Sequence, residues 1–293
     1  MSVPEPVTLT TADHFQIAAL RYPAEGAVKG HLVVAGATGV PQGFYRRFAL
    51  YASSQGYDVM TLDYRGIGLS RPASLKGFRM DYLDWARQDL AAAVDAMDVE
   101  GLPLYVVGHS FGGHAFGLLP NHHKVAGLYT FASGAGWHGW MPRMERLRVQ
   151  LMWRVIGPLI VRLQGYLAWS WLGMGEDLPL GVYRQWRQYC QFPRYFFDDP
   201  SMQHLQSGFD AVRSPIMSVV ALDDLWAQPA SRDAFMSGYR NVDWQKTDID
   251  PRQAGMGPIG HMGYFKAACA PLWKNALRWL EQNGQAPAAG ISR

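Results

Sequence analysis

Apolar and polar residues along this chain follow two rhythms. Short apolar runs without polar alternation occur at 31–35 (HLVVA), 104–107 (LYVV) and 125–131 (VAGLYTF). Such runs are the pattern of strands buried on both faces of a sheet. Residues 15–22 and 58–63 add two more strand-like runs, and a turn-like stretch, 24–29, follows the first. Between them, apolar residues recur at helical spacing: Phe44, Phe48, Leu50 and Tyr51 in 44–55, then Leu83, Ala86, Leu90, Ala93 and Met97 in 80–97. After a long gap, strand-like runs resume at 215–222 and 242–247, and a helical pattern closes the chain at 271–281. Strand, helix, strand repeated in this way predicts an α/β fold, a mostly parallel sheet with helices on both faces.

The gap breaks the rhythm. Residues 133–206 contain no strand-like run, and Trp137, Trp140, Trp153, Trp169, Trp171 and Trp186 crowd there. Arg146, Gln150, Arg154 and Arg162 keep a polar stripe, while Met144, Leu147, Leu151, Val155, Leu159 and Leu163 fill the other sides of the same helix. A kink is expected near Gly157-Pro158. The expected organisation is a core of residues 1–132 and 207–293 with a helical, aromatic-rich lid inserted at 133–206. Residues 285–290 (QAPAAG) read as a frayed tail.

Composition narrows the function classes. The chain has 293 residues, enough for one large α/β domain. Charged residues make up 17%, below the roughly 25% of ordinary soluble chains, and there are 11 tryptophans. That surplus of apolar surface needs a core or a greasy ligand to cover it. A net charge of +3 without any basic block argues against nucleic acid as a partner. Cys190 and Cys269 suggest neither a disulfide framework nor a metal site. Residues 1–10 lack the basic start and apolar stretch of a signal peptide, and 151–174 is interrupted by Arg154, Pro158, Arg162 and Gln164, so no membrane span is expected. The default location is cytoplasmic. No cofactor is called for, and a homo-oligomer is allowed.

The chemistry concentrates in three places. Gly108-His109-Ser110-Phe111-Gly112, with Gly113 next, fits G-x-S-x-G directly after LYVV and before a helical stretch. A serine on so tight a strand-to-helix turn projects its hydroxyl outward and sets the next backbone N–H at a helix start, facing a developing oxyanion. A base and an orienting acid are expected later, in the order Ser, Asp, His. Asp224 follows the strand-like run at 216–222, where open α/β sheets place their sites, with Asp223 as a rival. His261 lies in a glycine-flanked loop after the last strand, and none of the other histidines satisfies the order: His109 and His114 ride with the serine, His122, His123, His138 and His204 precede the acid, and His14 and His31 lie in the early strands.

With these motifs the chain resembles the α/β-hydrolase superfamily, in particular its lidded esterase, lipase and serine aminopeptidase-like branch. Ala35-Gly36-Ala37-Thr38-Gly39 stands where that family has His-Gly and an oxyanion residue, Asp63 to Ser70 (DYRGIGLS) matches its D-x-R-G-x-G-x-S turn, and Gly260-His261-Met262-Gly263 its histidine loop. The resemblance implies Ser110 as nucleophile, His261 as base, Asp224 as acid, and the amides of Ala37 and Phe111 as oxyanion donors, with Thr38 as the nearest rival. Ala35 departs from the family's histidine, and Ala221-Leu222-Asp223-Asp224 from its Gly-x-x-Asp. The DYRGIGLS turn reads as structural, with Arg65 as its anchor.

The expected reaction is cleavage of a carboxylic ester or thioester through an acyl-enzyme. The aromatic lid points to a small, lipophilic acyl substrate, with His109, Trp137, Trp140 and Trp226 as candidate contacts. Two alternatives stay open: a proline-releasing peptidase or amidase, anchoring an amine on Glu145, Glu176 or Asp177, and a non-catalytic interaction protein on the same fold.

Overall fold

The computed structural model describes residues 3–173 and 175–284. Its eight strands are β1 (Glu5–Thr10), β2 (Gln16–Tyr22), β3 (Gly30–Ala35), β4 (Tyr57–Leu62), β5 (Leu104–His109), β6 (Val125–Phe131), β7 (Ile216–Ala221) and β8 (Gln245–Ile249). They form one sheet in the order β1-β2-β4-β3-β5-β6-β7-β8. β2 pairs antiparallel with both β1 and β4, and every other neighbouring pair is parallel. β3, β4, β5 and β6 are buried at every position, which is why β3, β5 and β6 read as apolar runs without polar alternation. One face is covered by Arg46–Ser54 and Ala270–Asn283, through Phe48, Trp273 and Leu277. Ala91–Met97 and the segment between β6 and β7 cover the other.

Several elements differ from their sequence patterns. β1 has no counterpart in the runs picked out above, and His14 sits in the turn between β1 and β2 at φ 64°, outside either strand. The helix expected over 80–97 begins only at Trp85, as a π turn to Leu90, and turns α at Ala91. The Gln185 side chain takes the Tyr82 amide, and the residues just before Trp85 form a turn, with the Asp84 N–H on the Asp81 carbonyl at 3.0 Å, in place of a helix. β8 starts three residues later than the run at 242–247 suggested.

Between β6 and β7 the described residues form helices and turns, joined by one isolated bridge, Leu167 to Leu178. The irregularity expected at Gly157-Pro158 lies one turn earlier, as a π turn at Met152–Ile156. Proline has no N–H to give the carbonyl four residues back. The Gly157 N–H meanwhile reaches five residues back to the Met152 carbonyl, and the helix continues as Gly157–Gln164. The tail at 285–290 lies outside the described residues.

Candidate active site

β5 ends at His109 and the chain reverses into the helix Phe111–His114, with Ser110 as the pivot. Its φ of 52° and ψ of −110° form a conformation that a residue with a side chain holds only under constraint from its surroundings. Here the Ser110 N–H donates to the Phe131 carbonyl at 2.9 Å, and the Ser133 hydroxyl donates to the Ser110 carbonyl at 2.9 Å. The flanking glycines follow from distance. A Cβ on Gly112 would stand 2.0 Å from the Ala35 carbonyl oxygen, and one on Gly108 2.7 Å from the Gly112 backbone.

Three loops at the C-terminal edge of the sheet bring the polar groups together. His261 Nε2 lies 3.1 Å from Ser110 Oγ, and its Nδ1 lies 2.9 and 3.1 Å from the two oxygens of Asp224. Asp224 is fully buried just beyond β7, and its Oδ1 also accepts from the amides of Trp226 and Ala227 at 2.8 and 3.0 Å. Burial favours the neutral acid, yet the His261 charge and hydrogen bond, with the two amides, outweigh it and hold the Asp224 carboxyl below its ordinary pKa. Burial likewise disfavours a charged His261, but the Asp224 carboxylate reverses the balance and raises the imidazole pKa.

The two adjacent aspartates do different things. Asp223 accepts the Ile259 and Gly260 amides at 2.9 and 3.0 Å. It clamps the loop that presents His261 but faces away from the imidazole, which only Asp224 meets.

The expected oxyanion donor Ala37 needs correction. Its N–H donates to the Tyr45 hydroxyl at 2.7 Å, so this donor is already engaged. The neighbouring Thr38 lines the site, and its N–H makes no hydrogen bond among the described residues. The Phe111 N–H stands at the first position of its helix, where no preceding turn supplies an acceptor.

The Tyr45 hydroxyl leads further inward. It lies 3.0 Å from His109 Nδ1, and His109 Nε2 lies 2.9 Å from the His261 carbonyl. Because the phenol accepts from Ala37, it donates to Nδ1, so the His109 proton sits on Nε2 and goes to the His261 carbonyl. Burial, aided by the His261 charge, pushes the His109 pKa down to about 3 and keeps the ring neutral. His109 was expected to touch substrate. Instead it is fully buried behind the site, tying the Ala37 loop to the His261 loop.

In front of Ser110 lies a cavity of about 390 Å³ walled by Phe44, Trp169, Trp186, Tyr195, Trp226 and Met262. Trp226, one of the candidate contacts, lines this cavity; its ring lies 6.3 Å from that of His261, and its indole N–H donates to Glu145 at 2.9 Å. Trp137 and Trp140 do not line the cavity. They stack edge-to-face on each other, and the Trp140 N–H donates to the Pro193 carbonyl. His114, dismissed above as a base, does line it. Its Nε2 donates to the Gly134 carbonyl at 2.9 Å, and burial lowers its pKa to about 3, so it faces the cavity as a neutral ring. Its position one helical turn after Ser110 was the available signal. No such signal marked Trp169, Trp186 or Tyr195 among the many aromatic residues of their segment.

The DYRGIGLS turn stays out of the cavity. Arg65 is buried between Asp13 and Asp89, and the Ser70 hydroxyl donates to the Asp63 carbonyl. Among the described residues, no group of three or more His, Cys, Asp and Glu is arranged to hold a metal ion, and no helix is long and apolar enough to cross a membrane.

A family model described as serine aminopeptidase, S33 (Hydrolase_4) matches residues 26–180. No curated protein matches the chain in sequence. Among solved structures, a soluble variant of monoglyceride lipase from Saccharomyces cerevisiae in complex with a substrate analogue is similar, with a TM-score of 0.70, 16% identity and 97% of each chain covered. The Pyrococcus furiosus esterase PF2001 gives 0.62 at 12% identity, covering 97% of this chain and 92% of that one. A puromycin-hydrolysing peptidase of Mycobacterium tuberculosis gives 0.59 at 15% identity, covering 99% of this chain and 41% of that one. At these identities the likeness establishes the fold.

Proposed function

The chain belongs to the serine aminopeptidase S33 family of α/β hydrolases, and from that premise we propose that it hydrolyses carboxylic esters or thioesters with a hydrophobic acyl or alcohol part. The observation that carries the reading is the unbroken line from Ser110 Oγ through His261 to the buried Asp224. In the proposed reaction, Ser110 Oγ attacks the carbonyl carbon while His261 Nε2 takes its proton. Asp224 holds the Nδ1–H and favours the imidazolium as it forms. The oxygen of the tetrahedral adduct gains negative charge against the amides of Thr38 and Phe111, an interaction worth ~10²–10³ in rate per donor. Collapse breaks the bond to the leaving alcohol or thiol, which takes the proton from His261. Water, deprotonated by the same imidazole, then attacks the acyl-enzyme and releases the acid, and the proton returns to Ser110.

The cavity supports the hydrophobic half of this reading. Its volume of about 390 Å³ fits a small substrate, and an apolar chain entering it is favoured by roughly 25 cal/mol per Å² covered. Trp169, Trp186 and Tyr195 come from the segment between β6 and β7, which supports residues 133–206 as a lid. The peptidase alternative requires an acid free to hold an amine. Glu145 is bonded to Trp226, Glu176 to the Gly68 amide and Asp177 to Ser170 and Arg71, and none of the three lines the cavity.

The test is a panel of p-nitrophenyl esters of rising acyl length beside aminoacyl-naphthylamides, with fluorophosphonate labelling in parallel. Ester turnover and labelling, both lost in Ser110→Ala, are the expected result. Turnover of the amides alone would shift the assignment to a peptidase, and failure to label would refute a serine nucleophile.

A further inference from the structure

The helical run after β6 leaves one face without a protein partner. Arg143–Leu151, Met152–Ile156 and Gly157–Gln164 follow one another without a break over 22 residues, about 33 Å of helix. Val149, Trp153 and Ile160 are buried in the core. Met144, Leu147, Leu151, Val155, Leu159 and Leu163 are instead 47–72% exposed. Single exposed apolar residues are ordinary on protein surfaces, but a continuous row of six is not.

The backbone keeps this row straight. A four-residue step overshoots a regular α-helical turn by about 40°, so residues at this spacing would wind away around the helix. The wider π turn at Met152–Ile156 takes back part of that drift midway along the row. A stripe results.

Charge selects the occupant. The same 22 residues carry Arg143, Arg146, Arg148, Arg154 and Arg162 against one acid, Glu145. Arg143, Arg154 and Arg162 are exposed and form no ion pair among the described residues. A second copy of the chain packed stripe to stripe would bring like charges together. An anionic lipid surface would meet both the leucines and the arginines. No described helix is long and apolar enough to cross a bilayer, and the Trp153 side of this one is already committed to the core.

We infer that the stripe from Met144 to Leu163 docks the protein, lying flat, on anionic phospholipid membranes. Trp171 and Leu172, also exposed, lie two and three residues beyond the cavity-lining Trp169.

The experiment is co-sedimentation of the full chain with vesicles of equal phosphatidylglycerol and phosphatidylcholine, and with phosphatidylcholine alone. The expected result is binding to the anionic vesicles that weakens at high salt. The double variant Leu151→Glu/Leu159→Glu should bind at least tenfold more weakly. Val99→Glu, which alters an exposed apolar residue at the opposite end of the sheet, should bind as the parent does, and thermal melts of both variants should match the parent. Absence of binding, or equal binding by the double variant, would overturn the inference. A dimer seen by light scattering that the double variant abolishes, without vesicle binding by the parent, would assign the stripe to a second copy instead.

Discussion

The adjacent aspartates provide the sharpest test of the site, because Asp223→Asn and Asp224→Asn are the same chemical change one residue apart. Asp224 accepts the His261 Nδ1–H and the amides of Trp226 and Ala227. In Asp224→Asn, the amide oxygen keeps the two backbone donors and the NH2 group turns to Nδ1. That arrangement places the imidazole proton on Nε2, where it can no longer accept the proton of Ser110. The expected loss is ~10⁴-fold in kcat, about 5.5 kcal/mol of barrier. Asp223→Asn leaves the imidazole alone and weakens the clamp on Ile259 and Gly260. It should cost about 1–2 kcal/mol of stability and less than about tenfold in kcat.

A second readout separates role from stability. Burial lowers the His261 pKa and the Asp224 carboxylate raises it, with the carboxylate prevailing. Activity requires neutral imidazole, so kcat/KM rises with pH as His261 loses its proton. Without the carboxylate, burial acts unopposed, and the acidic limb of the Asp224→Asn profile moves to lower pH. In Asp223→Asn the limb stays in place. Both are measured from kcat/KM across pH on an ester from the panel, with urea melts for stability. If Asp223→Asn proved the costlier substitution, or if the limb stayed put in Asp224→Asn, the pairing of His261 with Asp224 would be refuted.

Three further outcomes are expected. Gly112→Ala puts a carbon 2.0 Å from the Ala35 carbonyl oxygen, so the turn must open; the variant should be expressed as aggregate or lose more than about 3 kcal/mol in urea melts, and near-parental stability would refute the close approach. Tyr45→Phe leaves the Ala37 N–H and His109 Nδ1 buried without partners and should lower stability by about 2–4 kcal/mol, whereas Tyr51→Phe, whose hydroxyl joins no such network, should change little. Arg65→Ala strands buried Asp89, whose pKa burial already pushes up to about 6 against the pull of Arg65. The loss should be about 3–5 kcal/mol near neutral pH and smaller in mild acid, where the stranded carboxyl takes up a proton; equal losses at both pH values would contradict the burial.

Much of the molecule is legible in its sequence. The runs HLVVA, LYVV and VAGLYTF are buried at every position because central parallel strands have no solvent face, so their apolar continuity is itself the signal. Gly108 is equally local, since the elbow returns the chain upon it and leaves no room for a Cβ, whereas Gly112 is fixed by the distant Ala35 carbonyl. The order serine, acid, histidine goes with the elbow motif, and the ends of the strand-like runs then singled out candidates within it.

Other assignments depended on distance across the fold. Whether Asp223 or Asp224 meets the imidazole turns on how a short loop beyond β7 points two adjacent side chains, which composition does not encode. Ala37 looked like a donor by position, and only the Tyr45 hydroxyl, eight residues away in sequence, shows its N–H engaged. His109 sits beside the nucleophile in sequence yet lies behind the site, because it is still on buried β5 while Ser110 is the pivot where the chain turns out into the helix. The apolar row from Met144 to Leu163 was visible in the chain, but whether it packs or faces solvent was set by the other side of the helix claiming the core. Backbone pattern is written in nearest neighbours and can be read from them; the partners of a polar group are chosen by the packing of distant segments.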